Sequence, residues 1–477
     1  MATQTDDPGA PSRHGGRDLT TGSIGGTLLL FALPTLGSSI LQSLNGSINT
    51  IWVGRFLGED ALAATSNANL VMFLMFSAVF GFGMAATILI GQHMGRRNID
   101  AARRVIGSAA TLFAAISLVV AVLGWITAPA LLRLLATPEP VFPLALSYLR
   151  VIFLGMPASF LAVLLSMGLR GSGDSLTPLW FMALSAIIDV ALNPVFILGL
   201  GPAPRLGIAG SAVATLIAST VSLAALIIYI QSRDLTIRLR GPEWRYLRPD
   251  MAVLKTILSK GLPMGLQMIM LSISALAMIH LVNRHGVPTT AAYGVISQLW
   301  AYIQMPAMAL GAAVSAMAAQ NIGAGKWDRV DSIAWSGSVI NIGLTGAMVV
   351  LITLVDQQLL GLFLTPDSPS IPIARHINLL VSWSFMLFGV SIVLSGVVRA
   401  NGAVIAPLII LTISAIPVRL GIAYALEDRL GADAIWWSFS AGSVVSLILT
   451  VGYYLRGTWR AYHLLGSETP VVVPEAA

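Results

Sequence analysis

Long apolar runs alternate with short polar connections from residue 24 almost to the end of the chain. Most runs hold about 20 to 30 residues, the length an α-helix needs to cross a hydrocarbon core about 30 Å thick. The pattern predicts twelve spans, over residues 24–54, 61–90, 103–127, 143–168, 176–201, 207–231, 250–283, 289–320, 331–364, 373–398, 404–426 and 431–455. Several exceed the core thickness and need tilt or an extra turn outside it. Residues 1–23 are polar and rich in Gly and Pro and are read as a disordered tail; 457–477 form a second tail. The apolar run that opens at Ile24 is too long for a removable signal segment and is read as the first span.

Composition narrows the class. Of 477 residues, 56% are hydrophobic and only 10% charged, with a mean hydropathy of +0.83. Soluble domains carry roughly 25% charged residues, so a water-soluble enzyme is excluded. With no Cys there is no disulfide framework, thiolate metal site or cysteine nucleophile. The six His (14, 93, 280, 285, 376 and 463) form no metal-ligand spacing. The net charge of +6 reflects basic loops at an anionic lipid surface, not a nucleic-acid site. Sorting the charges by loop gives orientation. The side that holds both termini collects 19 of the 27 Lys and Arg, and each loop on the other side has a single Arg. The positive-inside rule therefore predicts cytoplasmic termini and an even number of spans.

An internal repeat sets the predicted architecture. Leu33-Pro34 matches Leu262-Pro263, Val53-x-Arg55 matches Val282-x-Arg284, and Ser166…Arg170-x-x-Gly173…Pro178 matches Ser395…Arg399-x-x-Gly402…Pro407, all 229 residues apart. Gln92-x-x-Gly95 and Gln320-x-x-Gly323 match one residue out of step. Six spans separate the copies, so the repeat is parallel and the lobes should be related by a pseudo-two-fold axis along the membrane normal. The fold predicted is an all-α polytopic membrane protein with twelve transmembrane helices in two six-helix lobes. The N-lobe is 24–231, the C-lobe 250–456, and 232–249 the cytoplasmic linker about which the lobes would rock.

Against this background an ionisable group inside a span is informative, because it costs roughly 2.5–3.5 kcal/mol at a helix centre. Asp189, in LSAIIDVALNPVFILGL, is the clearest case. Asn193 follows at i+4 and puts an amide on the same helix face, and Pro194 can free a carbonyl upstream. A carboxylate and an amide oxygen suit a proton or a hard cation. Arg419 lies near the outer third of its span, where it can snorkel, and is read as structural; Asp356 and His280 sit at span ends and are expected to be wetted. Gly323-Ala324-Gly325-Lys326 imitates a phosphate loop. Gln320 and Trp327 stand where that motif needs Gly and Ser or Thr, so no ATP chemistry follows.

The motifs together resemble the multidrug and toxic compound extrusion (MATE) family, within the wider multidrug/oligosaccharidyl-lipid/polysaccharide (MOP) exporter superfamily. They include Pro34 with Ile51-Trp52-Val53-Gly54, Gly91-Gln92, Leu169-Arg170-Gly171-Ser172-Gly173-Asp174 and Gly207-Ile208-Ala209-Gly210. In the second half they include Gly261-Leu262-Pro263, Gln320-Asn321-Ile322-Gly323, Arg399-x-Asn401-Gly402 and Pro417-x-Arg419. Each is degenerate; the ordered set covers residues 25 to 460. The resemblance implies export of organic cations or drugs against H+ or Na+ by alternating access, with no other cofactor. It implies coupling around Asn49, Asp189, Asn193 and Thr215, with Na+, if used, held by Asp189, Asn193 and Thr215. Many members carry Asp where this chain has Asn49, and the acids one branch carries on helices seven and ten have no counterpart here.

A substrate cleft would combine apolar walls with polar anchors. The candidates are Gln42, Asn45, Met72 and Phe76 in the N-lobe and Gln267, Met268, Trp300, Gln304 and Met308 in the C-lobe. A lipid-linked precursor or polysaccharide flippase is the alternative function. A membrane-embedded transferase lacks the His or carboxylate cluster it would need. The protein is expected as a monomer in lipid, in a bacterial inner membrane.

Overall fold

The computed structural model describes residues 16–135, 137–361, 363–364 and 367–465. Fifteen α-helices run in chain order among them: α1 (Ile24–Leu57), α2 (Glu59–Gly95), α3 (Ile99–Leu134), α4 (Phe142–Gly171), α5 (Leu176–Leu198), α6 (Ile208–Ser232), α7 (Met251–Asn283), α8 (Val287–Gly323), α9 (Trp327–Leu354), the short α10 (Asp356–Leu360), α11 (Ser370–Val381), α12 (Ser384–Ala400), α13 (Ile405–Ile413), α14 (Arg419–Leu430) and α15 (Asp433–Arg456). Eleven segments are long and apolar enough to cross a membrane, α13 and α14 counting as one. The bent pair α11–α12 makes a twelfth if taken as a single span. The protein is thus an all-helical, multi-pass membrane protein.

The chain divides into two compact units that are not contiguous in sequence. The first is Met1–Asp18, Gly37–Ile90 and Asn98–Leu262; the second is Leu19–Leu36, Gly91–Arg97 and Pro263–Ala477. In the first unit α3 packs on α4, and α4 and α5 on α6. Small residues permit the close approach. A Cβ on Gly124 would meet the Phe153 ring at 2.3 Å, and one on Gly210 would meet the Phe196 carbonyl at 2.4 Å. The polar connection after α6 is not loose. Its 3-10 turn Gly241–Leu247 lies on α3, where Arg103 pairs with Glu243 at 2.6 Å and its Nε donates to the Thr236 carbonyl at 3.0 Å. Tyr246 donates to Asp100, and the Asp250 N–H to Ser108 Oγ at 3.1 Å.

The second unit packs α8, α9, α12 and α15 around an aromatic core of Tyr293, Trp300, Phe385, Trp436 and Phe439. The span predicted over 373–398 is two helices, α11 and α12, meeting at 46°. Trp300 Nε1 donates to Ser382 Oγ at 3.2 Å, Ser382 donates to Asn378, and Ser440 Oγ donates to the Leu380 carbonyl at 2.8 Å. These side chains take up polar groups at the break, as bilayer depth requires. The span predicted over 404–426 is interrupted by a π turn, Ser414–Val418, that contains Pro417. Pro417 has no N–H to donate, and Ser274 Oγ donates to the neighbouring Ala415 carbonyl at 2.6 Å.

Several local expectations are revised. Most of the tail expected over 1–23 lies outside the described residues, but Leu19 is fully buried in the second unit. Its N–H donates to Gln320 Oε1 at 3.1 Å and its carbonyl accepts from Asn321 Nδ2 at 3.0 Å. Lys326 Nζ and Arg329 hold the carbonyls of Thr20, Thr21 and Gly22. The tail expected over 457–477 begins as a 3-10 turn, Thr458–Ala461, with Trp459 buried; residues 466–477 lie outside the described residues. Asp356 is not wetted: it is 3% exposed and accepts from Arg375 Nε at 3.0 Å. Arg419 is half-buried, and its guanidinium lies 4.7 Å over the Phe439 ring.

Candidate functional site: a carboxylate among amides

Asp189 sits halfway along α5 and is 1% exposed, and Asn193 one turn later is fully buried. Asn193 Nδ2 reaches back to the Asp189 carbonyl at 2.9 Å and its Oδ1 at 3.1 Å, as the i+4 spacing predicts. Helix α6 brings Thr215, whose Oγ1 donates to Asp189 Oδ1 at 3.0 Å. Helix α1 brings two amides, also one turn apart. Asn45 Nδ2 and Asn49 Nδ2 each donate to Asp189 Oδ2 at 2.8 Å. Asn193 Nδ2 also donates to Asn49 Oδ1 at 3.0 Å, a second tie between α1 and α5.

Both carboxylate oxygens thus accept from two side chains, and every donor is neutral. Among the described residues no Arg, Lys or His forms an ion pair with Asp189. An ionised carboxylate has the acceptor capacity for all four bonds. Two amide oxygens, Asn45 Oδ1 and Asn193 Oδ1, are buried without a partner. Tyr148 of α4, buried, lies within electrostatic reach of Asp189. The site therefore offers one negative charge, two spare amide oxygens and a hydroxyl. That set can accept one proton, or one small cation if the amides turn their oxygens inward.

Thr215 also lines a cavity of about 20 Å³, room for one water, with Met72, Phe76, Ile152, Met156 and Ser219. Phe76 packs edge-on against Phe160 at 5.4 Å. Of the predicted residues, the structure brings Asn49, Asp189, Asn193 and Thr215 into one network and sets Met72 and Phe76 beside it. Asn45, assigned to the substrate wall, is instead a fourth donor to the carboxylate. Gln42 is exposed on α1 and, among the described residues, forms no hydrogen bond with that network.

The residues predicted in the second unit do not form one surface. Trp300 is 3% exposed in the aromatic core, 5.4 Å from Phe385 and 5.6 Å from Phe439, so its bulk fills the core instead of lining a cleft. Gln267 is buried and accepts from Arg399 Nη1 at 2.9 Å. Gln304 Nε2 reaches the Trp300 carbonyl at 3.4 Å, Met268 is half-buried and Met308 is exposed. One residue of the polar network, Asn45, and one beside it, Tyr148, were missed as such. Asn45-x-x-x-Asn49 repeats the one-turn spacing of Asp189-x-x-x-Asn193 and could have been found by it. Tyr148 carries no signal in the sequence.

A multi-pass helical protein built from two repeats, with a lone carboxylate held by neutral donors at mid-span, has the architecture of a membrane carrier. A family model, MatE, matches residues 34–195 and 263–425, two segments that begin 229 residues apart as the internal repeat does. Probable multidrug resistance protein YoeA of Bacillus subtilis (strain 168) is 38% identical over 434 residues, 91% of this chain and 94% of that protein. Probable multidrug resistance protein YpnP of the same organism is 30% identical, over 94% of this chain and 98% of its own. Among solved structures, an outward-facing multidrug resistance MATE family transporter of the MOP superfamily superposes with a TM-score of 0.83 at 22% identity, covering 93% of this chain and 98% of its own. This chain belongs to the MATE family, whose members are transporters and not enzymes.

Proposed function

We propose that this protein exports amphipathic and cationic organic compounds in antiport with H+ or Na+, and that Asp189 binds the coupling ion. The observation that carries the reading is the Asp189 carboxylate itself, buried in a span and satisfied only by neutral donors. A buried charge of this kind is retained where its neutralisation is useful. Protonation makes one oxygen a donor and breaks the match with the amides of Asn45 and Asn49. Rotation of Asn45 restores it, because its unpartnered Oδ1 then faces the new O–H. The same rotation, with that of Asn193, turns two neutral oxygens toward a bound Na+. Either ion changes the bonding between α1, α5 and α6, and that change is the step that binding would couple to alternating access.

The names of the two Bacillus subtilis relatives support drugs and related compounds as cargo. The apolar side chains of Met72, Phe76 and Met156, set beside Thr215, support a substrate wall next to the ion site. The basic loops favour cytoplasmic termini in a bacterial inner membrane. The test is dye efflux from proteoliposomes under an imposed pH or Na+ gradient. Wild type should expel a cationic dye under one of these gradients, and Asp189→Asn should not; gradient-driven efflux by the variant at the wild-type rate would sink the proposal.

A further inference from the structure

The second unit holds a half-buried charge that the ion site does not use. Arg419 opens α14 directly after the π turn Ser414–Val418. Its guanidinium lies over Phe439 at 4.7 Å, and Tyr293 packs 6.3 Å from that same ring. No hydrogen bond or ion pair satisfies the guanidinium among the described residues, and Nε is buried without a partner. Ser414, 3% exposed, also has an unpartnered hydroxyl. The two residues lie together: a Cβ built on Gly442 would stand 2.9 Å from the Ser414 carbonyl and 3.0 Å from Arg419 Nε. Gly442 thus leaves the space in which the arginine lies.

The repeat adds a second line of argument. Pro178 and Pro407 are 229 residues apart, so the position matching Asp189 is Val418, one residue before Arg419. A π turn is a helix with one extra residue in its turn. The turn Ser414–Val418 therefore advances Arg419 into the helical place that Asp189 fills in the first unit. The two halves carry opposite charges at equivalent places. A cation–π contact alone does not account for an Nε left unsatisfied in a membrane span, on a residue packed against one whose buried hydroxyl is also unpartnered.

We propose that Arg419 and Ser414 form an oxyanion-binding subsite in the second unit, taking the carboxylate or phosphate of an amphipathic organic compound. The planar fork of Arg suits two parallel hydrogen bonds to such a group, and the aromatic face of Phe439 holds the fork in place. Zwitterions and organic acids then belong to the ligand range along with simple cations. The subsite rests on the export reading only in that its ligand is a transported compound.

Direct binding separates the two ideas, because it needs no gradient. Fluorescence anisotropy would compare a xanthene dye bearing a free carboxylate with its ethyl ester, on purified protein in an uncharged detergent. Wild type should prefer the acid, and Arg419→Gln should lower the acid-to-ester affinity ratio by roughly tenfold, the loss of one charge-assisted pair. Arg419→Lys keeps the charge but not the fork and should lower it by less, and Ser414→Ala by less again; either serves if the Gln variant does not fold. An unchanged ratio, or equal weakening of both dyes, overturns the subsite. Displacement of the acid by phosphatidylglycerol at low mole fraction overturns a transported ligand in favour of a lipid headgroup.

Discussion

Asp189→Asn removes a charge and one acceptor while keeping the side chain's shape, and the structure lets its effect on stability be worked out. Removing the ionised group recovers about 2.5–3.5 kcal/mol, the cost of a charge at mid-helix on insertion scales. Against this, the bonds from Asn45, Asn49, Asn193 and Thr215 change from charge-assisted to neutral. In soluble proteins that change is about 1 kcal/mol per bond, whereas whole interhelical bonds in membranes average about 0.6 kcal/mol. The loss over the four is therefore about 2–4 kcal/mol and offsets the gain. The new NH2 would face two amide NH2 groups, but Asn45 can rotate and offer its unpartnered oxygen. We expect stability within about 1–2 kcal/mol of wild type, read as a small shift in thermal unfolding of purified protein in detergent, while coupled transport is lost. A fall of many degrees would mean that Asp189 is a structural acid, and would refute the reasoning.

Three further expectations concern the scaffold. Gly389→Ala puts a Cβ 2.4 Å from Asn341 Nδ2, which holds the Met386 carbonyl. It should lower stability by about 1–3 kcal/mol, and Asn341→Ala in the same protein should recover part of the loss in a melting experiment. Asn321→Ala removes the bond to the Leu19 carbonyl; tryptic cleavage after Arg17 should then run about fivefold faster, the equivalent of about 1 kcal/mol of local opening. Asp174, before α5, is pushed above the usual carboxyl range by burial, which bonds from Thr177 and Leu176 only partly oppose. A raised folded value contributes stability at acid pH that is lost as pH rises through that value. From acid to neutral pH, wild type should therefore lose more melting temperature than Asp174→Asn; equal losses would contradict the assignment.

How far the sequence went depends on the range of the interaction involved. Spans were legible because about 20 apolar residues have one use in a bilayer, and the repeat appeared as matched residues, later matched by the two family-model segments. Asp189 was legible from its charge, and Asn193 from helix periodicity. Asn49 and Thr215 came only from family resemblance, since their bonds to Asp189 span 140 and 26 positions. Asn45 was assigned to the substrate wall because no local rule tells an amide facing a carboxylate from one facing a cavity. Trp300 was misread for a related reason: amphipathic aromatics suit a core and a binding wall equally, and the ring of Tyr293, Phe385 and Phe439 around it is tertiary. The break at Ser382–Trp383 lies in an unbroken apolar run with no Pro, so nothing local announced it. The π turn at Pro417 had a signal, but its consequence for Arg419 required coordinates.

The central claim is that one carboxylate carries the coupling. Ion release on substrate binding tests it most directly: a cationic dye is added to purified protein in weakly buffered detergent, and released H+ or Na+ is measured. With Asp189 as the sole acid of the site, wild type should release no more than about one ion per chain and Asp189→Asn none. Release undiminished in the variant, or well above one ion per chain in wild type, would contradict the account.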